Sequence, residues 1–123
     1  METKRKFFVN YTEEAFGFLQ GLDEKVRTKI LYNIDKASYC LDPQIFKKLE
    51  GQDIWEFRTL YAGIQYRLLA FWDHDTETCV IATHGFVKKT QKTPLKEIER
   101  ANAIRNEYFL AKQQENIAES NNN

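Results

Sequence analysis

The chain of 123 residues has the usual length of one domain, so a single core and a single functional site are expected. Hydrophobic residues make up 42% of it, which is enough to order a core and excludes a disordered chain. Eighteen basic and eighteen acidic residues give a net charge of zero, so any anion binding must come from local clusters.

The N-terminal residues and the cysteines narrow the class of protein further. Residues 1–10 carry no long apolar segment with a small-residue cleavage site, and no stretch approaches the roughly 18 apolar residues of a membrane span. Cys40 and Cys79 lack metal-ligand spacing, which predicts neither a zinc site nor a disulfide framework. We therefore expect a cytoplasmic protein without membrane association.

The first forty residues predict a strand and then a helical hairpin. Residues 5–10 form a short aromatic and β-branched run typical of a strand. Thr12 is a typical N-cap for a first helix that ends at Gly21. Asp23 can begin a second helix, whose apolar positions recur at spacings of three and four up to about Cys40.

The rest of the chain predicts a sheet and a last helix. Residues 41–52 indicate a connection with one helical turn, and residues 53–86 an antiparallel meander of three strands, DIWEFRTLY, IQYRLLAFW and TCVIATHGF. Pro94 begins the last helix. The predicted fold is α+β, with an N-terminal helical hairpin packed on a twisted antiparallel sheet. It forms a single domain over residues 1–112, and residues 113–123 form a flexible polar tail.

The first hairpin of the meander brings two arginines together. A two-residue turn at residues 62–63 pairs Tyr61 with Ile64 and places Arg58 directly opposite Arg67. The opposite, apolar face would pack on the helices and leave the arginine face open. Two like charges in this position are unfavourable unless an anion lies between them. Glu56 lies on the same face, and the alternative is that it only neutralises one guanidinium in a surface ion pair.

A lysine cluster is the second signal. Residues 86–96, FVKKTQKTPLK, contain four lysines and no acidic residue, and follow the third meander strand. Lys88 and Lys89 should therefore lie near Arg67, while Lys92 lies further along the loop. Lys47 and Lys48 precede the first meander strand and can approach from another side. The alternative for any such run is a solvated loop.

His84 is better placed for proton transfer than His74, which lies in a polar turn. A four-residue second turn would place His84 opposite Gln65, and a five-residue turn opposite Tyr66. A structural role for this histidine is equally compatible with the sequence. No phosphate-binding glycine loop or metal-ligand cluster is visible, so we expect neither a metal nor another cofactor.

The stretch from Leu49 to Tyr108 resembles the HigB branch of the RelE/ParE toxin superfamily, in particular the phage-derived Gp49-like family. The resemblance rests on IWEFR, then GIQYRLLAF, then HGFVKKTQKTP, then the helix IERANAIRNEY, in that order. It implies a RelE-like fold. It also implies a toxin that cleaves messenger RNA at the ribosome and is neutralised by an antitoxin, often one with a helix-turn-helix domain.

The resemblance also implies roles for individual residues. The 2′-hydroxyl of the substrate would attack the adjacent phosphate without a metal, and Arg67, then Arg58, would stabilise the charge that develops. Lys88 and Lys89 would hold RNA or the leaving oxygen. From their charge and position, rather than from the resemblance, Lys47, Lys48 and Lys92 are expected to bind RNA. The tail after Lys112 lacks the tyrosine of some relatives, so His84, Lys88 or Lys89 would transfer the proton.

Two further functions are compatible with the same resemblance. ParE-like members of the superfamily inhibit DNA gyrase and cleave nothing. A phage-derived interaction module could also keep the fold and lack activity.

Overall fold

The computed structural model describes residues 4–121, which form five strands and three helices. In chain order these are β1 (Phe8–Tyr11), α1 (Glu13–Gln20), α2 (Glu24–Tyr39), β2 (Phe46–Lys48), β3 (Trp55–Tyr61), β4 (Ile64–Trp72), β5 (Cys79–Lys88) and α3 (Leu95–Asn121). None of the helices within these residues is both long and apolar enough to cross a membrane.

The strands form one sheet in the order β1-β5-β4-β3-β2. The α+β class, the helical hairpin and the C-terminal helix are confirmed. The sheet is mixed, however, because β1 runs parallel to β5 at one edge, whereas the other neighbouring strands are antiparallel. At the other edge, β2 occupies part of the segment predicted to contain a helical turn. Phe46 of β2 is buried and stacks on Phe57, and this packing favours strand pairing there.

The helical hairpin begins and ends where the sequence predicts. The Thr12 hydroxyl accepts a hydrogen bond from the Ala15 amide at 3.0 Å, which caps α1. Both helices cover one face of the sheet, and their apolar side chains share a core with the inward residues of β3, β4 and β5. That core consists of Phe7, Ala15, Leu19, Val26, Ile30, Ile34, Ala37, Phe46, Phe57, Tyr66, Leu68, Ala70, Val80 and Ala82.

The opposite face, which carries the arginines, is only partly open. α3 packs on it through Ala101, Ile104 and Phe109, over a second core that includes Leu69 and Phe71. The prediction of an open arginine face is therefore wrong for the half of the sheet that lies beneath α3. Alternation along β4 places Arg67 on the same face as these two buried residues, and the arginine lies at the margin of the helix-covered area.

The first meander hairpin has the predicted register. Ala62 and Gly63 both have positive φ, of 50° and 78°, as a two-residue type I′ turn requires, and Arg58 pairs with Arg67. The register of β5 differs from both alternatives, because His84 lies opposite Leu69. The connection after Trp72 is longer than five residues, and a bulge at Leu69/Ala70 shifts the pairing of β5 with β4 by one further residue.

Asp73, at the end of β4, attaches α3 to the sheet. Its buried carboxylate accepts hydrogen bonds from the Tyr108 hydroxyl at 2.6 Å and from the Lys112 ammonium at 2.7 and 2.9 Å. Burial acts to raise the pKa of Asp73, but these hydrogen bonds outweigh it and the pKa lies below its ordinary value. Burial and the same hydrogen bond raise the pKa of Tyr108 to about 12.

Beyond Lys112 the chain continues as helix to Asn121. Within the predicted flexible tail, residues 113–121 are helical and every side chain is exposed. Five of these nine residues are Ala, Glu or Gln, which have high helix propensity and favour the extension of α3 without a covering partner. The division into a domain of residues 1–112 and a tail stays a prediction.

Replacing Asp73 with Asn should destabilise the protein by about 2 kcal/mol at neutral pH, because the Lys112 ammonium loses its buried partner. Since the folded-state pKa lies below the ordinary 3.8, this stabilisation is present above that pH and disappears as the pH falls through the folded-state value. Urea unfolding of the parent and the variant at pH 7 and at acid pH measures the loss of stability at each pH. Asp75→Asn, at a half-exposed contact of Lys112, is the control and should change stability by less than about 0.5 kcal/mol. An equal loss for Asp73→Asn at both pH values would contradict the assignment.

Candidate functional site

Two guanidinium groups lie side by side on the face that α3 partly covers. Arg58 of β3 and Arg67 of β4 are directly paired, and Phe86 of β5 pairs with Arg67 on its other side. Paired residues of neighbouring strands project to the same face, so the three side chains form a row across the sheet. The convergence of the two arginines follows from the type I′ turn.

Glu56 lies between the two arginines. One carboxylate oxygen, Oε1, is 3.4 Å from Nε of Arg58 and 3.6 Å from Nε of Arg67. The other, Oε2, accepts a hydrogen bond from the Thr93 hydroxyl at 2.7 Å. Glu56 is only 3% exposed, so the alternative of an ordinary surface ion pair does not describe it. It is a buried carboxylate shared by two guanidinium groups, which reduces the repulsion between them.

The two arginines differ in exposure. Arg67 is 4% exposed and donates from Nη1 to the Tyr66 carbonyl at 3.1 Å, whereas the Arg58 side chain is 31% exposed. Burial lowers the pKa of Arg67 while Glu56 raises it, and a guanidinium in a protein remains charged in either case. Within residues 4–121 the Nη groups of Arg58 have no hydrogen-bond partner, so they are available to a ligand.

Lysines surround this pair. Burial and the nearby Arg67 lower the pKa of Lys88, which pairs across the sheet with Gln65, two residues from Arg67. Lys47 pairs with Glu56 from the side of β2. The two arginines, Lys88 and Lys47 carry four positive charges, against one negative charge on Glu56. Arg58, Arg67, Lys88 and Lys89 line one open depression of about 370 Å³. We call this depression, with Gln65, Thr90 and Gln91, the arginine cleft.

Lys47 lies beside the arginine cleft without lining it. Three further residues singled out from the sequence lie away from the cleft. Lys48 pairs with Trp55 on the other face of the sheet and lines a separate depression with Trp72 and His74. Lys92 is exposed in the loop before α3, where its carbonyl accepts a hydrogen bond from the Thr90 hydroxyl.

His84 is the third. It is buried, its Nδ1 lies 3.0 Å from the Thr83 hydroxyl oxygen, and its Nε2 is 3.7 Å from the carboxylate of Glu97. Burial lowers the pKa of His84, and the charges that act on it are those of Glu97, Glu14 and Arg100 rather than those of the two paired arginines. These surroundings favour the structural role for His84.

A tyrosine of α3 is also remote from the cleft. Tyr108 donates to Asp73, which directly follows β4 and lies six residues beyond Arg67, a distance of about 20 Å along a strand. Of the three residues expected to transfer a proton, His84 lies away from the arginines, whereas Lys88 and Lys89 lie beside them. Among residues 4–121 no group of three or more His, Cys, Asp or Glu side chains could hold a metal ion.

Two contacts of the site were not predicted from sequence. Glu56 was placed on the arginine face as a partner of one guanidinium, and its contact with both arginines could have been inferred from the pairing of Arg58 with Arg67. The contact of Thr93 with Glu56 joins residues 37 positions apart and has no local signal.

Comparison with known proteins places these observations in a family. The model of the family described as phage-derived protein Gp49-like matches residues 17–106. No curated protein sequence matches the chain.

Three solved structures are similar in fold. A mutant of the Escherichia coli toxin RelE in the free state is 19% identical, with a TM-score of 0.58 over 81% of this chain and 97% of that one. A chain of the intact E. coli RelBE toxin–antitoxin complex is 17% identical, with a TM-score of 0.53 over 68% of this chain and 99% of that one. A chain of the RelBE2 toxin–antitoxin complex of Mycobacterium tuberculosis is 20% identical, with a TM-score of 0.51 over 68% of this chain and 99% of that one. At these identities the likeness concerns the fold alone.

Glu56→Gln should destabilise the protein by about 3 kcal/mol, because the amide keeps the shape of the side chain but leaves the two guanidinium groups without their shared anion. Sulfate should restore much of the loss by binding between the arginines, so the melting temperature of the variant should rise more steeply with sulfate than that of the parent. Thermal unfolding in sulfate and in chloride measures both effects.

Sulfate also stabilises proteins without binding to a site, and the control for this is Glu50→Gln, at an exposed position before β3. Parallel sulfate responses of the parent and both variants would contradict the shared-anion role of Glu56.

Proposed function

Because the chain belongs to the phage-derived Gp49-like family, we propose that it is the toxin of a type II toxin–antitoxin system and that it cleaves messenger RNA. The observation that carries this proposal is the arginine cleft, where four cations face one buried carboxylate. The similar folds of RelE, which is described as a toxin, and of chains from the RelBE and RelBE2 toxin–antitoxin complexes agree with it.

The cleft suits a phosphate that gains charge during reaction. A guanidinium offers a planar fork of N–H donors that matches phosphate oxygens, and its charge does not depend on pH in the physiological range. Glu56 lies at the Nε edges of both groups and so leaves the Nη ends of Arg58 to the ligand. Donors fixed in this way stabilise a phosphorane without reorganising during the reaction.

The proposed reaction needs no group beyond RNA, protein and water. The 2′-hydroxyl oxygen bonds to the adjacent phosphorus, and its proton passes to water. The bond from phosphorus to the 5′-oxygen breaks, and that oxygen takes a proton from Lys88. The products are a 2′,3′-cyclic phosphate and a free 5′-hydroxyl. A lowered pKa makes the Lys88 ammonium a stronger acid than an exposed lysine.

The remaining assignments follow from position. Arg67, nearly buried and fixed by Tyr66, forms the floor of the cleft, and Arg58 contacts the phosphate directly. Lys89 and Lys47 hold the neighbouring backbone of the RNA. Glu56 and Thr93 position the arginines. Lys48, Lys92 and His84 have no assigned contact with the scissile phosphate.

We further propose that an antitoxin neutralises this activity, and that the substrate is messenger RNA on the ribosome. The RelBE and RelBE2 toxin–antitoxin complexes supply the analogy for the first point. The family resemblance suggests an antitoxin with a helix-turn-helix domain and cytoplasmic action.

Arg58→Gln should lower messenger RNA cleavage at least about 100-fold, because it removes a fixed cation from the phosphorane. The variant should stay folded, since this side chain is the more exposed of the pair, whereas Arg67→Ala would also remove a buried partner of Glu56. Purified protein in a cell-free translation reaction, followed by mapping of transcript ends, gives the rate and the chemistry of the ends.

Arg105→Gln, on α3 beyond the cleft, is the matched control and should keep full activity. Equal cleavage by the parent and Arg58→Gln would refute the assigned site. Intact transcripts together with DNA damage in expressing cells would instead favour gyrase inhibition, and expression without toxicity would favour an inactive module.

A further inference from the structure

A second depression meets the arginine cleft. It has a volume of about 430 Å³ and shares Arg58, Gln65 and Arg67 with the cleft. From this junction it runs around the edge of β3 to the surface of α2, where Lys29, Asn33 and Lys36 line it. We call this depression the α2 arm.

The α2 arm exists because β2 is short. β2 pairs with β3 only as far as Phe57, and the last backbone link between them is the Arg58 amide bonded to the Ile45 carbonyl. Beyond this point the outer edge of β3 faces α2. The buried side chains of Asn33 and Thr59 join across the gap through a hydrogen bond of 3.1 Å, which closes the floor.

Positive charge predominates along the α2 arm. Lys29, Asn33 and Lys36 are spaced by four and three residues and so lie on one face of α2, with both lysines exposed. Asp42 is the acidic residue in its lining, and its carboxylate already accepts a hydrogen bond from the Gln44 amide at 2.9 Å. The two lysines are about 10 Å apart along the helix axis, so they can contact different phosphates of one strand.

We propose that a single RNA strand occupies both depressions at once, bent at the two arginines, with the backbone on one side of the scissile phosphate held by Lys29 and Lys36. The other side of the strand follows Lys88 and Lys89. Leu60, which is 58% exposed beside Gln65 at the junction, offers an apolar surface to a base. This inference rests on the proposed function and adds the path of the substrate.

The test measures binding of a 2′-O-methyl RNA of about 12 nucleotides, which lacks the attacking hydroxyl and is not cleaved. Fluorescence anisotropy over a range of salt concentrations gives the affinity and its salt dependence. Lys29→Gln with Lys36→Gln should weaken binding about tenfold. It should also reduce the slope of log affinity against log salt by about 1.4, because each phosphate contact on a single strand contributes about 0.7.

The matched control is Lys6→Gln with Lys25→Gln, which removes two exposed lysines outside both depressions and should leave the slope unchanged. If Arg58→Gln weakens binding while the Lys29 and Lys36 double variant does not, the α2 arm is wrong and the proposed function stands. If Arg58→Gln also leaves binding unchanged, or the parent does not bind, the proposed function fails as well.

Discussion

The buried carboxylate of Glu56 is the interaction on which the candidate site depends. Two guanidinium groups on adjacent strands repel each other, and in a partly buried position this repulsion would be costly without an anion between them. Glu56 supplies one negative charge at the Nε edges of both, and Thr93 fixes its other oxygen. One carboxylate does not balance the surrounding cations, so the site is held together and still attracts an anion.

The sheet serves two purposes because its faces differ along its length. One face packs against α1 and α2 and forms the larger core. The other is covered by α3 at the Phe71 end and open at the hairpin end, where the arginines lie at the boundary. At this boundary Arg67 is shielded from water, whereas the Arg58 side chain is partly exposed to solvent. Charges that are fixed and partly desolvated interact more strongly with a ligand than freely solvated ones.

Much of this arrangement was accessible from the sequence, because it depends on local rules. The Ala62-Gly63 turn determines the pairing of Arg58 with Arg67, and the Thr12 cap fixes the start of the helical hairpin. Predictions failed where distant segments decide the outcome. The bulge that moves His84 opposite Leu69, the pairing of β2 and the position of α3 over the arginine face all depend on tertiary packing. The sequence run groups Lys47 with Lys48. The structure places Lys47 beside the site and Lys48 on the other face of the sheet, because side chains alternate along a strand.

A phosphate site at the two arginines is tested most directly by observing the guanidinium groups themselves. Proton–nitrogen NMR spectra of the arginine side chains, assigned with Arg58 and Arg67 variants, would be recorded during titration with the uncleavable RNA. If both arginines bind the phosphate, the Nε–H signals of both should shift saturably at the same RNA concentration. Signals that stay in place while the RNA binds elsewhere on the protein would contradict a phosphate site built around Glu56.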